Sequence, residues 1–252
     1  YLVAAPIAAL ILAFAFANRE IVTIYFDPIG GHGLEPIPAP QYAVLLIVAA
    51  LGVTVYVWLI SLAGAAVLGF AVALGRRFGP RWLDALLLAY VEIWRGTPFL
   101  VQLFLLYFGG PYAGLSLDAE PAGVLALAVY GGAYFSEVFR LGFEAVPRGH
   151  VEAAECAGFS RAQIVRRVLL PEMAVLVLPA CVNLAVSLLK DTAVLSVVTV
   201  PELTLTVSAI GTEFYAFVEA LFLLALGYWG LVEIAAALGR IAERRLARYR
   251  FA

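Results

Sequence analysis

Glu152–Pro171 reads EAAECAGFSRAQIVRRVLLP, a polar, arginine-rich interruption in an otherwise apolar chain. Val151 to Ala157 is a good helix former, Gly158 can supply the positive φ that ends that helix, and Ser160 can cap a second helix over Ala162 and Gln163. The second helix carries Arg161, Arg166 and Arg167 and runs into Pro171, which fits the first turn of the apolar segment beyond it. A basic connecting loop at a membrane surface explains the arginines. It does not explain the spacing: Glu-Ala-Ala, three residues, Gly, nine residues, an aliphatic residue, any residue, Leu-Pro.

Working outward, 64% of the 252 residues are hydrophobic and only 13% are charged, with a mean hydropathy of +0.98. That lies far outside the soluble globular range. The apolar runs are long and do not alternate, so they are read as helices that satisfy their own backbone in lipid. Cys156 and Cys181 are placed as small packing residues, and His32 and His150 form no cluster at metal-ligand spacing. The basic residues lie at helix ends rather than in one aromatic-laced patch, which argues against nucleic acid. The single lysine, Lys190, follows Leu189, so the chain has no Gly-Lys-Ser/Thr phosphate loop. Any ATP hydrolysis would reside in another subunit.

Six membrane segments are expected. The first, 1–17, fits a membrane helix or a signal-peptide core ending at Ala15-Phe16-Ala17; the lack of basic residues before it favours the helix. An external loop, 18–41, is rich in proline and glycine. Spans are placed at 42–75, at 82–110 with a break at Gly96 and Pro98, and at 122–141, 172–199 and 214–238, with 201–211 as a loop. Gly64, Gly69 and Gly75 suggest close helix packing.

The Glu152–Pro171 pattern resembles the signature loop of permease subunits of binding-protein-dependent ABC importers, with Glu152, Ala153, Ala154, Gly158, Val168, Leu170 and Pro171 at the matching positions. Val168 stands where that family usually has Ile, a volume-tolerant change. Arg95-Gly96-Thr97-Pro98, the adjoining FLVQLFLLYF (99–108) and SLLKDTAVLSVVTVPELT (187–204) resemble the members serving polar amino acids, the histidine, glutamine and glutamate type. The resemblance covers about residues 42–250. It implies an all-α polytopic fold of about six transmembrane helices, a five-helix type I permease core plus one N-terminal helix, with a cytoplasmic coupling helix pair in 144–167. It further implies a transport subunit rather than an enzyme. The chain would bind no cofactor, ATP and Mg belonging to two separate ATPase subunits that Glu152, Ala153, Ala154, Gly158 and Arg161 would engage. A second permease subunit, identical or not, and an external solute-binding protein complete the implied assembly in the bacterial inner membrane.

With that loop cytoplasmic, thirteen of the sixteen basic residues share its side: Arg76, Arg77 and Arg81, Arg140 to Arg167, and the tail from Arg240 to Arg250. This is the bias of the positive-inside rule, and it puts both ends of the chain in the cytoplasm. Inside the spans, ionisable residues are costly and face protein or a water-filled path. Arg95, Glu137, Lys190 and Asp191, with Thr192 beside them, are the candidates for a translocation path or gate. An amino acid offers an ammonium and a carboxylate, and this set carries both signs. The structural reading competes: Arg95 would bind carbonyls freed at the Gly-Pro break, and Lys190 and Asp191, which as helix neighbours do not face each other, would have separate partners. A rival function, an ion-gradient transporter using Glu137 and Asp191, leaves the loop unexplained.

Overall fold

The computed structural model describes residues 39–248, which are helical throughout apart from short connections. The expected segments 1–17 and most of 18–41 lie outside the described residues. The first helix, α1 (Ala39–Phe78), already takes in the last three residues assigned to that loop. Its 40 residues span about 60 Å, roughly twice the hydrocarbon thickness.

The break expected within 82–110 is present and divides the run into two helices. The first, α2 (Arg81–Gly96), is amphipathic, carrying Asp84 in its first turn and Arg95 in its last, with Val91 buried. Thr97 and Pro98 are extended, and α3 (Phe99–Phe104) starts after them. From Phe99 to Ala113 the helix is apolar but shorter than a span. The carbonyls freed at the break are met by Gln102, not by Arg95: its Nε2 donates to Trp94 O at 2.7 Å and Thr97 O at 3.0 Å. Beyond α3 the helix widens into a π turn at Leu105–Gly109 and tightens at Gly110–Ala113.

Next come α4 (Ala119–Ala145), α5 (Arg148–Cys156) and α6 (Arg161–Ile164). A second π turn, Val165–Leu169, joins α6 to α7 (Leu170–Asp191), and a 3-10 turn, Thr192–Val198, prolongs α7. Both π turns stop two residues before a proline, Pro111 and Pro171. Proline cannot donate to the carbonyl four residues back, and the widened turn absorbs the missing bond. Arg161–Val198 is therefore one continuous rod, 38 residues long. The expected loop at 201–211 is largely helix, α8 (Leu203–Glu213), whose cap is the Glu202 carboxylate accepting from Thr204 N and Leu205 N. The last element is α9 (Phe217–Arg248). Among the described residues, four stretches have the length and composition to cross a membrane: Leu46–Phe78, Ala119–Ala145, Arg161–Val198 and Phe217–Leu246.

The main seam runs between α1 and α4. A Cβ on Gly69 would stand 2.5 Å from Phe135 Cβ and 2.8 Å from Gly132 O, so the backbones meet where only glycine fits. Lipid supplies no hydrophobic drive between helices, and such close van der Waals packing does the holding instead. One buried cluster joins Val57 and Ala65 of α1 to Leu127 and Phe135 of α4, Leu188 of α7 and Leu195. A second joins Ala73, Phe143 and Met173 to Ala154 and Ile164, seating α5 and α6 on the bundle.

Candidate coupling loop and translocation pocket

The loop at 148–171 closes as its sequence predicts. Gly158 has φ +79°, and α5 ends with Phe159 N donating to Ala154 O at 3.0 Å and Gly158 N to Glu155 O at 2.9 Å. This turn satisfies the last carbonyls of α5 and reverses the chain. Ser160 then makes a capping box on α6: Oγ accepts from Gln163 N at 3.4 Å, and its own N–H donates to Gln163 Oε1 at 2.8 Å. Ala154 and Ile164 point into the bundle, whereas Glu152, Ala153, Gly158 and Arg161 are exposed. Val168 is half-buried against the same cluster as Ala154. The five residues assigned to coupling thus divide into one anchor and four on an open face. His150 Nδ1 lies 2.8 Å from a Glu172 carboxylate oxygen, tying α5 to the start of α7. Behind α5 a hollow of about 550 Å³ is lined by Arg77, Phe143, Arg148, Glu152 and Glu155, among others.

Glu137 lies on α4 in an ionic hub. Arg76 of α1 reaches Oε1 at 2.5 Å, Arg140 reaches Oε2 at 2.9 Å, and Arg95 of α2 stands 3.9 Å from Oε2. Arg76 also meets Asp84 of α2 at 3.3 Å, and Arg140 meets Glu144 at 2.7 Å. One carboxylate therefore ties three helices together.

Asp191 lines a separate cavity of about 150 Å³ between α4 and α7, with Tyr130, Gly131, Tyr134, Phe135, Leu184, Ser187 and Leu188. Tyr130 and Tyr134 lie one turn apart on α4, as do Ser187 and Asp191 on α7. Two hydroxyl-bearing rings, their centroids 5.0 Å apart, thus face a serine and a carboxylate. Arg95 bridges the two places: its guanidinium stacks over the Tyr134 ring at 5.5 Å while its other side approaches Glu137. Lys190 is exposed and does not line the cavity, so the neighbouring charges diverge. Thr192 is fully buried and turned away, its hydroxyl donating to Leu189 O at 2.7 Å and lying 3.4 Å from the Tyr228 hydroxyl. Of the five path candidates, Asp191 alone lines this cavity, with Arg95 and Glu137 behind its tyrosine wall.

The turn after Val198 holds a further polar group. Glu202 is fully buried and, besides capping α8, accepts from Tyr228 of α9 at 2.8 Å. Burial pushes its carboxyl above the usual carboxylate range, opposed by hydrogen bonds from the Thr204 and Leu205 amides and the Tyr228 hydroxyl. Tyr130 and Glu202 carry no individual signal in the sequence, and Tyr228, which with Trp229 reads as part of an interface belt, hydrogen-bonds Glu202. The i, i+4 spacing of Tyr130 with Tyr134 and of Ser187 with Asp191 was the available signal.

Comparison with known proteins gives one consistent picture. Residues 65–248 match the model of the family described as binding-protein-dependent transport system inner membrane component. The chain is 32% identical over 203 residues to the probable amino-acid ABC transporter permease protein YckA of Bacillus subtilis (strain 168), covering 81% of this chain and 90% of that protein. It is 34% identical over 188 residues to the L-cystine transport system permease protein TcyB of the same organism, covering 73% and 79%. Among solved structures, it superimposes with a TM-score of 0.75 and 30% identity on a chain of an amino acid ABC transporter crystallised with histidines, covering 85% of this chain and all of the other.

Proposed function

The chain belongs to the binding-protein-dependent transport system inner membrane component family, as a multi-pass permease subunit of an ABC importer whose ATPase is a separate subunit, and we propose that it carries polar amino acids. The observation that carries the proposal is the α4–α7 cavity with Asp191, Ser187, Tyr130 and Tyr134 in its lining, joined to the coupling loop by the continuous rod Arg161–Val198. The rod's first turns form the second half of the coupling loop, and Asp191 lies near its far end, in the wall of the α4–α7 cavity. A displacement of the loop by an ATPase is thereby delivered to the cavity along one helix.

Exposed Glu152, Ala153, Gly158 and Arg161 offer the docking face, and buried Ala154 fixes that face to the bundle. ATP and Mg belong to the docked ATPase. Asp191 supplies the carboxylate for a substrate ammonium, Tyr130 and Tyr134 line the approach, and Ser187 adds a donor and an acceptor. Arg95 and Glu137 brace the tyrosine wall and hold α1, α2 and α4 in register. Lys190 and Thr192 lie outside this cavity and serve the contacts around it. The amino acid would be handed over by an external binding protein and pass between this subunit and a second permease. The coupling loop and the basic end of α9 face the cytoplasm, in keeping with the distribution of arginine.

The test is uptake by proteoliposomes holding the permease, its ATPase and its binding protein. Asp191→Asn is expected to lower uptake at least tenfold while leaving ATPase co-purification intact. Wild-type uptake by that variant would remove Asp191 from the path.

A further inference from the structure

We propose that Glu202 and Tyr228 are positioning residues for the substrate cavity, clamping the turn that follows α7 and so aiming Asp191 into it. This rests on the reading of Asp191 as the substrate carboxylate.

The α-helical geometry of α7 ends at Asp191, and the next seven residues tighten into the 3-10 turn Thr192–Val198. That change fixes the direction in which Asp191 leaves the helix, and a 3-10 turn this long needs tertiary support. The support comes from two places. At the near end, the buried Thr192 hydroxyl, its own proton given to Leu189 O, packs at 3.4 Å against the Tyr228 hydroxyl, which donates to Glu202 Oε2 at 2.8 Å. At the far end, Thr199 closes the turn in the left-handed region, φ 65° and ψ 22°, a conformation that a β-branched residue adopts only under constraint. The constraint is visible on both sides of it: Val198 and Val200 are buried, and Glu202 two residues on is immobilised by the Thr204 and Leu205 amides. Leu203 N donates to buried Thr54 Oγ1 at 3.0 Å, which pins the same turn to α1.

A carboxylate already held by three hydrogen bonds is unsuited to binding substrate itself. Its place is to hold Tyr228, and Tyr228 reaches the residue next to Asp191. Strained backbone, a buried carboxylate and the Tyr228 ring it holds against Thr192 converge beyond α7 and maintain the direction of Asp191.

The experiment measures binding of a labelled amino acid to the purified permease–ATPase complex without binding protein. The probe is whichever of L-glutamine, L-glutamate, L-histidine, L-arginine or L-cystine the wild-type complex takes up. Tyr228→Phe keeps the ring and removes the hydroxyl, and is expected to weaken binding about tenfold, the loss of one buried hydrogen bond. Added to Asp191→Asn it should have no further effect, because it acts through that carboxylate. Thr199→Gly, which accepts the left-handed turn without strain, should fold with an undiminished Tm and still bind more weakly, since the turn is then less fixed. If Tyr228→Phe weakens binding as much in the Asp191→Asn background as alone, or lowers Tm with binding unchanged, the clamp is refuted and the Asp191 reading stands. If Asp191→Asn alone binds like wild type, the Asp191 reading falls, and the clamp with it.

Discussion

Replacing Gly158 with valine separates what the coupling loop needs for itself from what it needs for its partner. At φ +79° a glycine is unstrained, whereas a β-branched residue pays about 1–2 kcal/mol for the left-handed region. A Cβ built at 158 meets nothing within 4 Å in this chain, so no packing penalty is added inside the subunit. The bundle, held by the α1–α4 seam, should insert and accumulate as wild type. The docked state is different. Glu152, Ala153, Gly158 and Arg161 are each exposed, and a side chain forced into a fitted docking contact costs about 1–3 kcal/mol. The backbone strain is present in the free and the docked subunit alike and cancels from the affinity, so the overpacking alone sets the fall in ATPase affinity, about 5-fold to 150-fold. Gly158→Ala should fall between. The assay is co-purification of the ATPase with tagged permease, alongside ATP-driven uptake. A valine variant that retains the ATPase at wild-type stoichiometry and transports normally would refute the docking assignment.

Other perturbations address other parts of the structure. Glu137→Gln leaves Arg76, Arg140 and Arg95 facing a neutral group; because Arg140 and Arg95 are partly exposed, the loss is about 2 kcal/mol rather than that of a fully buried pair. It should appear as a lower Tm in detergent, with substrate affinity changed less than by Asp191→Asn. Gly69→Ala forces a methyl against Phe135 Cβ and the Gly132 carbonyl, and should cost about 1–3 kcal/mol, read as reduced accumulation in the membrane and a lower Tm. Ser160→Ala removes the capping box and should loosen the start of α6 by about 1 kcal/mol, seen as faster amide exchange at Gln163 with the spans unaffected.

Elements governed by local chemistry are legible in the sequence. Gly158 and Ser160 announce a helix end and a helix start within three residues, and both act as their side chains require. The long apolar runs of α1, α4, α7 and α9 are likewise found where composition places them. One boundary departs from the local sequence signals. Pro201 and Gly211 suggested a loop, but Glu202 caps a helix between them, and its burial against Tyr228 comes from a segment 26 residues away. The run at 82–110 breaks where Gly96 and Pro98 require it, with Thr97 and Pro98 extended between α2 and α3. The partners of the charged residues were not legible at all. Glu137 meets Arg76 across 61 positions, and no local pattern reveals that Asp191 faces a cavity while Thr192 turns to α9.

The central claim, an ATP-driven permease for polar amino acids, is tested most directly by reconstituting the purified permease with its ATPase and binding protein in liposomes. The measured quantity is amino acid uptake with and without ATP on the ATPase side. Uptake that requires ATP, the ATPase and the binding protein together is the predicted result. Uptake by the permease alone, driven by an ion gradient and indifferent to ATP, would contradict it.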